Sequence, residues 1–307
     1  MTRVLMLHRV MAARPTALGR PSCYRLRGTA LTPEELDRLL EAVAPIHPLE
    51  TVVSALASGE PPPPGWVLTF DDGYREWLEV VAPRLGARGV AATFFVCPAF
   101  LQEAAQAHPV DVFYWLLDHA RHPHVEVRLP DGTLARGTLE SDEGKAALVT
   151  GALKQFVVKG PRPEVGAVLA RLAESLGLEL PDDLGRTLYP SERELRTLAR
   201  AGHQLGGHGM RHLHLTAMEA AEVAGEVSAS LAWVARLSGM GPAPFAYPDG
   251  AFDAATARRV EAAGAACALT CMPGALTREA DLFCLPREFV TPTHPLVVAR
   301  SMRQGAA

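Results

Sequence analysis

The sequence predicts an α/β protein organised around a parallel sheet, and two observations carry that expectation. Short apolar runs are followed by stretches of helical periodicity and then by further apolar runs, in both the first and the last third of the chain. Runs such as "VAATFFV" are apolar throughout and rich in β-branched and aromatic residues, which suits strands buried on both faces. Crossovers between such strands are expected to be right-handed. Periodicity leaves two architectures open, a doubly wound open sheet and a closed barrel, and both place reactive residues at the carboxyl ends of strands.

The first strand is "VLMLHRV". "LTPEELDRLLEAV" follows as a helix, with Thr32 as cap, Pro33 at the first helical position and Glu35 completing a capping box. "ETVVSALASGEPPPPGW" reads as a surface loop whose proline run stops regular structure before the strand "WVLTF". "YREWLEVVAPRLGARG" has helical spacing ending at Gly89, and "VAATFFV" is the next strand. Residues from about 100 to 190 differ: "VDVFYWLLDHA", "SDEGKAALVTGALKQFVV" and "EVGAVLARLAESLGL" are helical in period with no βα alternation. They read as a helical insertion within a single domain spanning residues 1–307, placed to form a lid or wall over a site. Alternation resumes at "AGHQLGGHG", passes through a helix capped by Thr216 and Glu219, and repeats as "PFAYP", "DAATARRVEAAG" and "ACALT" before a final strand "CLPREFV".

Composition narrows the function. A chain of 307 residues, 48% hydrophobic, can bury a large core. A net charge of −4 without any lysine or arginine run argues against a nucleic-acid partner. The apolar start is short, is interrupted by His8 and Arg9, and has no small-residue cleavage site, so it reads as a strand rather than a leader. No apolar run reaches the length of a membrane span, and a soluble, cytoplasmic protein is expected. Five cysteines, an odd number widely spread, do not form a disulfide framework, and Cys267 and Cys271 read as buried thiols.

The chemistry begins in "LTFDDGYREW", where Asp71 and Asp72 stand behind an apolar strand. A polar turn accounts for such a pair. Yet adjacent anions repel, and a nearby cation that keeps both ionised would explain the pairing. "GGHGMRHLHL" offers His208 and His212, four residues apart and on one face if the segment is helical, at another strand end. A solvated turn is the plain alternative. One carboxylate with two imidazoles leaves positions open for water, the arrangement of a catalytic zinc centre. His119, His122 and His124, inside the insertion, read as solvated.

"TFDDG", "HGMRH" and "FAYPDG", in that order, resemble the first three motifs of the polysaccharide deacetylases, carbohydrate esterase family four, which includes chitooligosaccharide and peptidoglycan deacetylases. The resemblance covers residues 66–96 and 191–290 well and the first strand loosely, and it omits the insertion. It implies a distorted (β/α) barrel and a divalent metal, zinc foremost with cobalt, manganese or nickel as alternatives. It also implies removal of an acetyl group from an N-acetylated sugar, oligosaccharide or glycoconjugate. By motif position Asp72, His208 and His212 would hold the metal and Asp71 would be the general base. The Tyr247 main-chain N–H would face the oxyanion, and His294 in "TPTHPL", or else His8, would protonate the leaving amine. Two departures matter: Gly209 stands where a serine or threonine is common, and Phe245 where an arginine usually pairs with the base. Arg287 in "LPREF" is the expected replacement. Trp66, Trp77 and Trp115 would be either a sugar-stacking platform or core. A cytoplasmic location would favour a soluble precursor, a lipid-linked intermediate or a small conjugate as substrate. Two other functions fit these residues: a carbohydrate-binding pseudoenzyme, and a hydrolase of a formamide or cyclic imide.

Overall fold

Eleven strands are found in the computed structural model, which describes residues 1–102 and 107–298. In chain order they are β1 (Thr2–Leu7), β2 (Arg9–Val10), β3 (Ala30–Leu31), β4 (Gly65–Phe70), β5 (Thr93–Val96), β6 (His124–Arg128), β7 (Leu134–Thr138), β8 (Gln204–Gly207), β9 (Phe245–Ala246), β10 (Ala268–Leu269) and β11 (Glu288–Phe289). Seven of them form one all-parallel sheet in the order β10-β9-β8-β5-β4-β1-β11. The two ends of that row are joined by the segment leading into β11. The Leu285 N–H donates to Ala268 O at 3.0 Å and the Thr270 N–H to Leu285 O at 2.8 Å, while the Val290 N–H donates to Met6 O at 3.0 Å. The sheet therefore curls into a distorted barrel, closed by one irregular wall. Of the two architectures the periodicity left open, this is the barrel.

Side-chain alternation explains the apolar runs. Leu5, Phe70 and Phe94 belong to the main core, whereas Val4, Val67, Phe95, Ala246 and Leu269 form a second cluster with Leu49, Val52 and Leu56. Neighbouring residues thus point to opposite faces, and each face is covered. The last three residues lie on the helix Leu49–Ala57, so the first part of the expected surface loop is helical. Their spacing of three and four residues is the helical signal that the adjacent proline run obscured. Close approach of β8 to β5 depends on glycine: a Cβ on Gly206 would lie 2.4 Å from the Phe95 ring.

The capping box Thr32–Glu35 forms as expected. The helix Ala220–Ser238 is instead capped by Glu219 with Glu222, and Thr216 sits in a separate turn, Leu215–Ala217. The insertion contains the helices Pro109–His119, Asp142–Thr150, Ala152–Lys159 and Arg162–Ser175, but it is not purely helical. β6 and β7 form an antiparallel hairpin through Asp131 and Gly132. Strict in-out alternation in "HVEVR", followed by an Asp-Gly turn, was the available sign.

Candidate metal centre and active-site cavity

The site lies where β1, β4, β5 and β8 end. The Asp71 N–H continues the ladder by donating to Leu7 O at 2.9 Å, and the chain then turns sharply at Asp72 (φ 84°) and Gly73 (φ 91°). Among the described residues only three that are not glycine have positive φ, namely Asp72, His212 and Asp249. All three line one cavity. Backbone conformations that L-residues rarely adopt persist where the surroundings over-determine them, and they cluster at functional sites.

Asp72, His208 and His212 form the one group of potential metal ligands found among the described residues, with one ligand atom from each lying within 4.8 Å of the others. Asp72 Oδ1 is 3.5 Å from the Nε2 atoms of both His208 and His212. The histidines do not share a helix face; they lie on the loop after β8, and the positive φ of His212 (52°) turns its ring back. His208 Nδ1 lies 2.8 Å from Ala246 O, which fixes that nitrogen as the proton-bearing one and aims the Nε2 lone pair at a carboxylate. Two lone pairs facing each other require a cation between them. Separations of 3.5 Å also approximate the ligand–ligand edge of a tetrahedral ion with bonds of roughly 2.0–2.1 Å. The donor set therefore fits zinc. Without an ion, burial pulls His208 down but the Asp72 contact outweighs it and raises its pKa, whereas burial prevails at His212 and lowers it. Burial opposes the charge on Asp72 as well, yet the surrounding histidines hold it well below the usual carboxylate range.

Asp71 is separated from this trio by its partner. Arg287, fully buried, donates from Nη1 to Asp71 Oδ1 at 2.7 Å and to Thr69 Oγ1 at 3.2 Å, and from Nε to Thr270 O at 2.9 Å. Burial alone would raise the Asp71 pKa, and the guanidinium reverses that. Arg287 comes from the irregular wall before β11, not from the segment that holds Phe245.

The other expected residues are distributed unevenly. His8 lines the cavity at the end of β1, its ring edge-on to Phe289 and its buried Nδ1 without a hydrogen-bond partner among the described residues. His294 lies outside the cavity lining, with Nε2 2.9 Å from Glu288 Oε1. The Tyr247 N–H is spent on Leu269 O at 3.1 Å, and its hydroxyl on Phe283 O at 2.9 Å, so the oxyanion contact expected from that N–H is not available. β9–β10 pairing consumes it. Trp77 is core, donating to His8 O, and none of Trp66, Trp77 and Trp115 lines the cavity, which leaves no tryptophan platform there. Cys267 is buried, and Cys271 reaches the cavity wall without joining a metal cluster. His119, His122 and His124 are exposed.

Several cavity residues were not singled out in the sequence, although Asp249 belongs to "FAYPDG". His108, from the insertion, stands edge-to-face to His212 with 4.9 Å between ring centres, and burial pushes its pKa well down. Asp249 Oδ2 lies 2.8 Å from His214 Nε2 and 3.9 Å from His212 Nδ1, behind the ligand ring. Asp111, also from the insertion, accepts from the hydroxyls of Tyr24 (2.6 Å) and Tyr74 (3.0 Å) and from that of Tyr189, tying the insertion to the barrel beside the cavity.

A profile of the polysaccharide deacetylase family matches residues 58–123 and 163–268, more than half of the chain, and the protein belongs to that family. It is accordingly a hydrolase of carbon–nitrogen bonds. A comparison with curated proteins finds no match. Among solved structures it resembles the Streptococcus pyogenes deacetylase PplD in complex with acetate, with TM-score 0.62 and 14% identity over 98% of this chain and 97% of that one. It also resembles IcaB from Ammonifex degensii, with TM-score 0.56 and 16% identity over 97% and 95% of the two chains. The deacetylase domain of BpsB from Bordetella bronchiseptica matches with TM-score 0.53 and 16% identity over 94% and 95%. At these identities the likeness establishes the barrel fold. Among the described residues no helix is long and apolar enough to cross a membrane.

Proposed function

We propose that the protein is a metal-dependent deacetylase that hydrolyses the acetamide of an N-acetylated sugar, oligosaccharide or glycoconjugate, releasing acetate and a free amine. The observation that supports this reading best is the convergence of two imidazole Nε2 atoms on Asp72 beside a second carboxylate held by its own arginine. A divalent ion bound by Asp72, His208 and His212, zinc by donor type, would supply Lewis-acid polarisation of the amide carbonyl and acidify water. Asp71 would take the proton from the attacking water, since Arg287 holds it ionised through Oδ1 and the cavity is open to the carboxyl group. His8 is the better placed of the two proton donors for the leaving amine, because it faces the cavity and its Nδ1 is uncommitted. Asp249 and His108 would hold His212 in register from behind and from the side.

The test is acetate release from N-acetylated sugars and glycoconjugates with added zinc, cobalt, manganese or nickel, alongside metal analysis. Metal binding with no hydrolysis of any substrate would favour the carbohydrate-binding reading. Formate or a ring-opened imide, in place of acetate, would move the reaction to another carbon–nitrogen bond.

A further inference from the structure

The cavity has a second wall that the hydrolytic chemistry does not use. It is built by Tyr24, Arg27 and Thr29 from one side and by Tyr114, Lys154 and Val158 from the insertion. Lys154 and Val158, four residues apart on the helix Ala152–Lys159, present one face to the cavity, while Leu153 and Val157 anchor the helix in the core. Lys154 Nζ lies 5.3 Å from the Tyr114 ring centre, and Arg27 stands beside the same phenol. Two cations therefore meet at one aromatic residue.

Four carboxylates line the cavity, and each is engaged elsewhere: Asp71 with Arg287, Asp72 with the two histidines, Asp111 with three tyrosine hydroxyls, and Asp249 with His214. Among the described residues none of these four cavity carboxylates forms an ion pair with Arg27 or Lys154. A half-buried ammonium without an ion-pair partner is costly to keep, and burial, with Arg27 adding to it, pulls the Lys154 pKa down to about 8 against an attraction to Asp249 and weaker ones to Asp111 and Asp72. An incoming oxyanion would give it the missing partner.

We propose that Lys154 and Arg27 form a subsite for an oxyanion carried by the substrate, a carboxylate or a phosphate ester on the sugar whose acetamide enters the metal end of the cavity. This inference rests on the deacetylase reading and narrows its substrate to anionic N-acetylated sugars. Tyr114 orders the two cations, and charge-assisted contacts supply the discrimination over neutral sugars. The insertion thereby contributes specificity to a reaction whose chemistry resides in the barrel.

The experiment compares N-acetylglucosamine with its 1-phosphate, its 6-phosphate and its 3-O-lactyl carboxylate as substrates of the zinc-loaded protein. The corresponding free amino sugars are titrated calorimetrically as ligands. At least one anionic member should bind and react with about tenfold advantage over the neutral sugar, the size of one charge-assisted contact. Lys154→Met should reduce that ratio about tenfold, and Lys154→Arg should restore most of it. The phosphate and lactyl arms separate the two sources of negative charge. Equal behaviour of all four sugars, or a ratio untouched by Lys154→Met, overturns the subsite while leaving deacetylation standing. Lys154-dependent binding of an anionic amino sugar without acetate release from any substrate would support the subsite and remove the deacetylase reading.

Discussion

Arg287→Met cuts the buried pair on which the assignment of Asp71 depends. The two side chains are 0% and 2% exposed and their charged atoms are 2.7 Å apart. Two unit charges about 4 Å apart in an effective dielectric of about 20 attract by about 4 kcal/mol, and removing one member of a buried pair typically costs about 3–5 kcal/mol because the other is stranded. Loss of the bonds to Thr270 O and Thr69 Oγ1 adds to this. Urea unfolding of Arg287→Met, Asp71→Asn and the double variant, each with chelator present so that metal binding does not enter, forms a closed cycle. Each single variant should lose about 3 kcal/mol or more, and the double variant should recover about 1–3 kcal/mol relative to their sum. Arg287→Met should also lower kcat/KM for acetate release about 100-fold, since the base is no longer held, and Arg287→Lys should recover part of it. Losses that add to within about 0.5 kcal/mol would show that the two side chains are neighbours without being partners, and would refute the compensation argument.

Asp72→Ala should abolish stoichiometric zinc binding measured by metal analysis, whereas Asp71→Asn should retain the metal and lose turnover; equal metal loss in both would merge the two roles. His8→Ala should reduce kcat by roughly 10²–10⁴, the range for a lost general acid, while His294→Ala changes it by less than about threefold. A reversed order would return the proton-donor role to His294. Lys154 carries its charge below about pH 8 and loses it as pH rises through that value, because burial and Arg27 outweigh the pull of Asp249, Asp111 and Asp72. The preference for anionic over neutral substrates should therefore fade above about pH 8 and persist there in Lys154→Arg; a preference that is flat across this range would detach it from the lysine. For stability the sign is opposite to that of a stabilised cation. The folded chain gives up this proton before the unfolded chain does, so this group's contribution favours the fold increasingly as pH rises from about 8 towards the ordinary lysine range.

The motifs carried most of the metal end. Asp71, Asp72 and His208 were legible because each stands directly behind an apolar or glycine-rich strand, where residues of a parallel sheet converge on one face, and His212 by its spacing from His208. Arg287 was legible as a replacement once Phe245 occupied the usual arginine position. The hairpin within the insertion could have been read from its alternation and its Asp-Gly turn, and the helix Leu49–Ala57 from its apolar spacing, had the proline run not dominated that stretch. His108, Asp111 and Lys154 left no comparable mark. They reach the cavity from the insertion, where no period links sequence position to direction.

The main strands of the large sheet, their parallel pairing and the candidate ligand-type residues follow from the sequence alone, because burial on both faces and strand-end position are local properties of the chain. Closure of the barrel, the burial of the Arg287–Asp71 pair and the placement of His8 rather than His294 in the cavity wall were decided only in the tertiary structure. Each depends on contacts across more than 200 residues, such as Arg287 with Asp71. The Tyr247 N–H shows the same limit in reverse: its motif pointed to the oxyanion, and a ladder bond to Leu269 had already taken it. Which groups face each other, and which are already satisfied, is settled by packing, and that determines the chemistry left to the cavity.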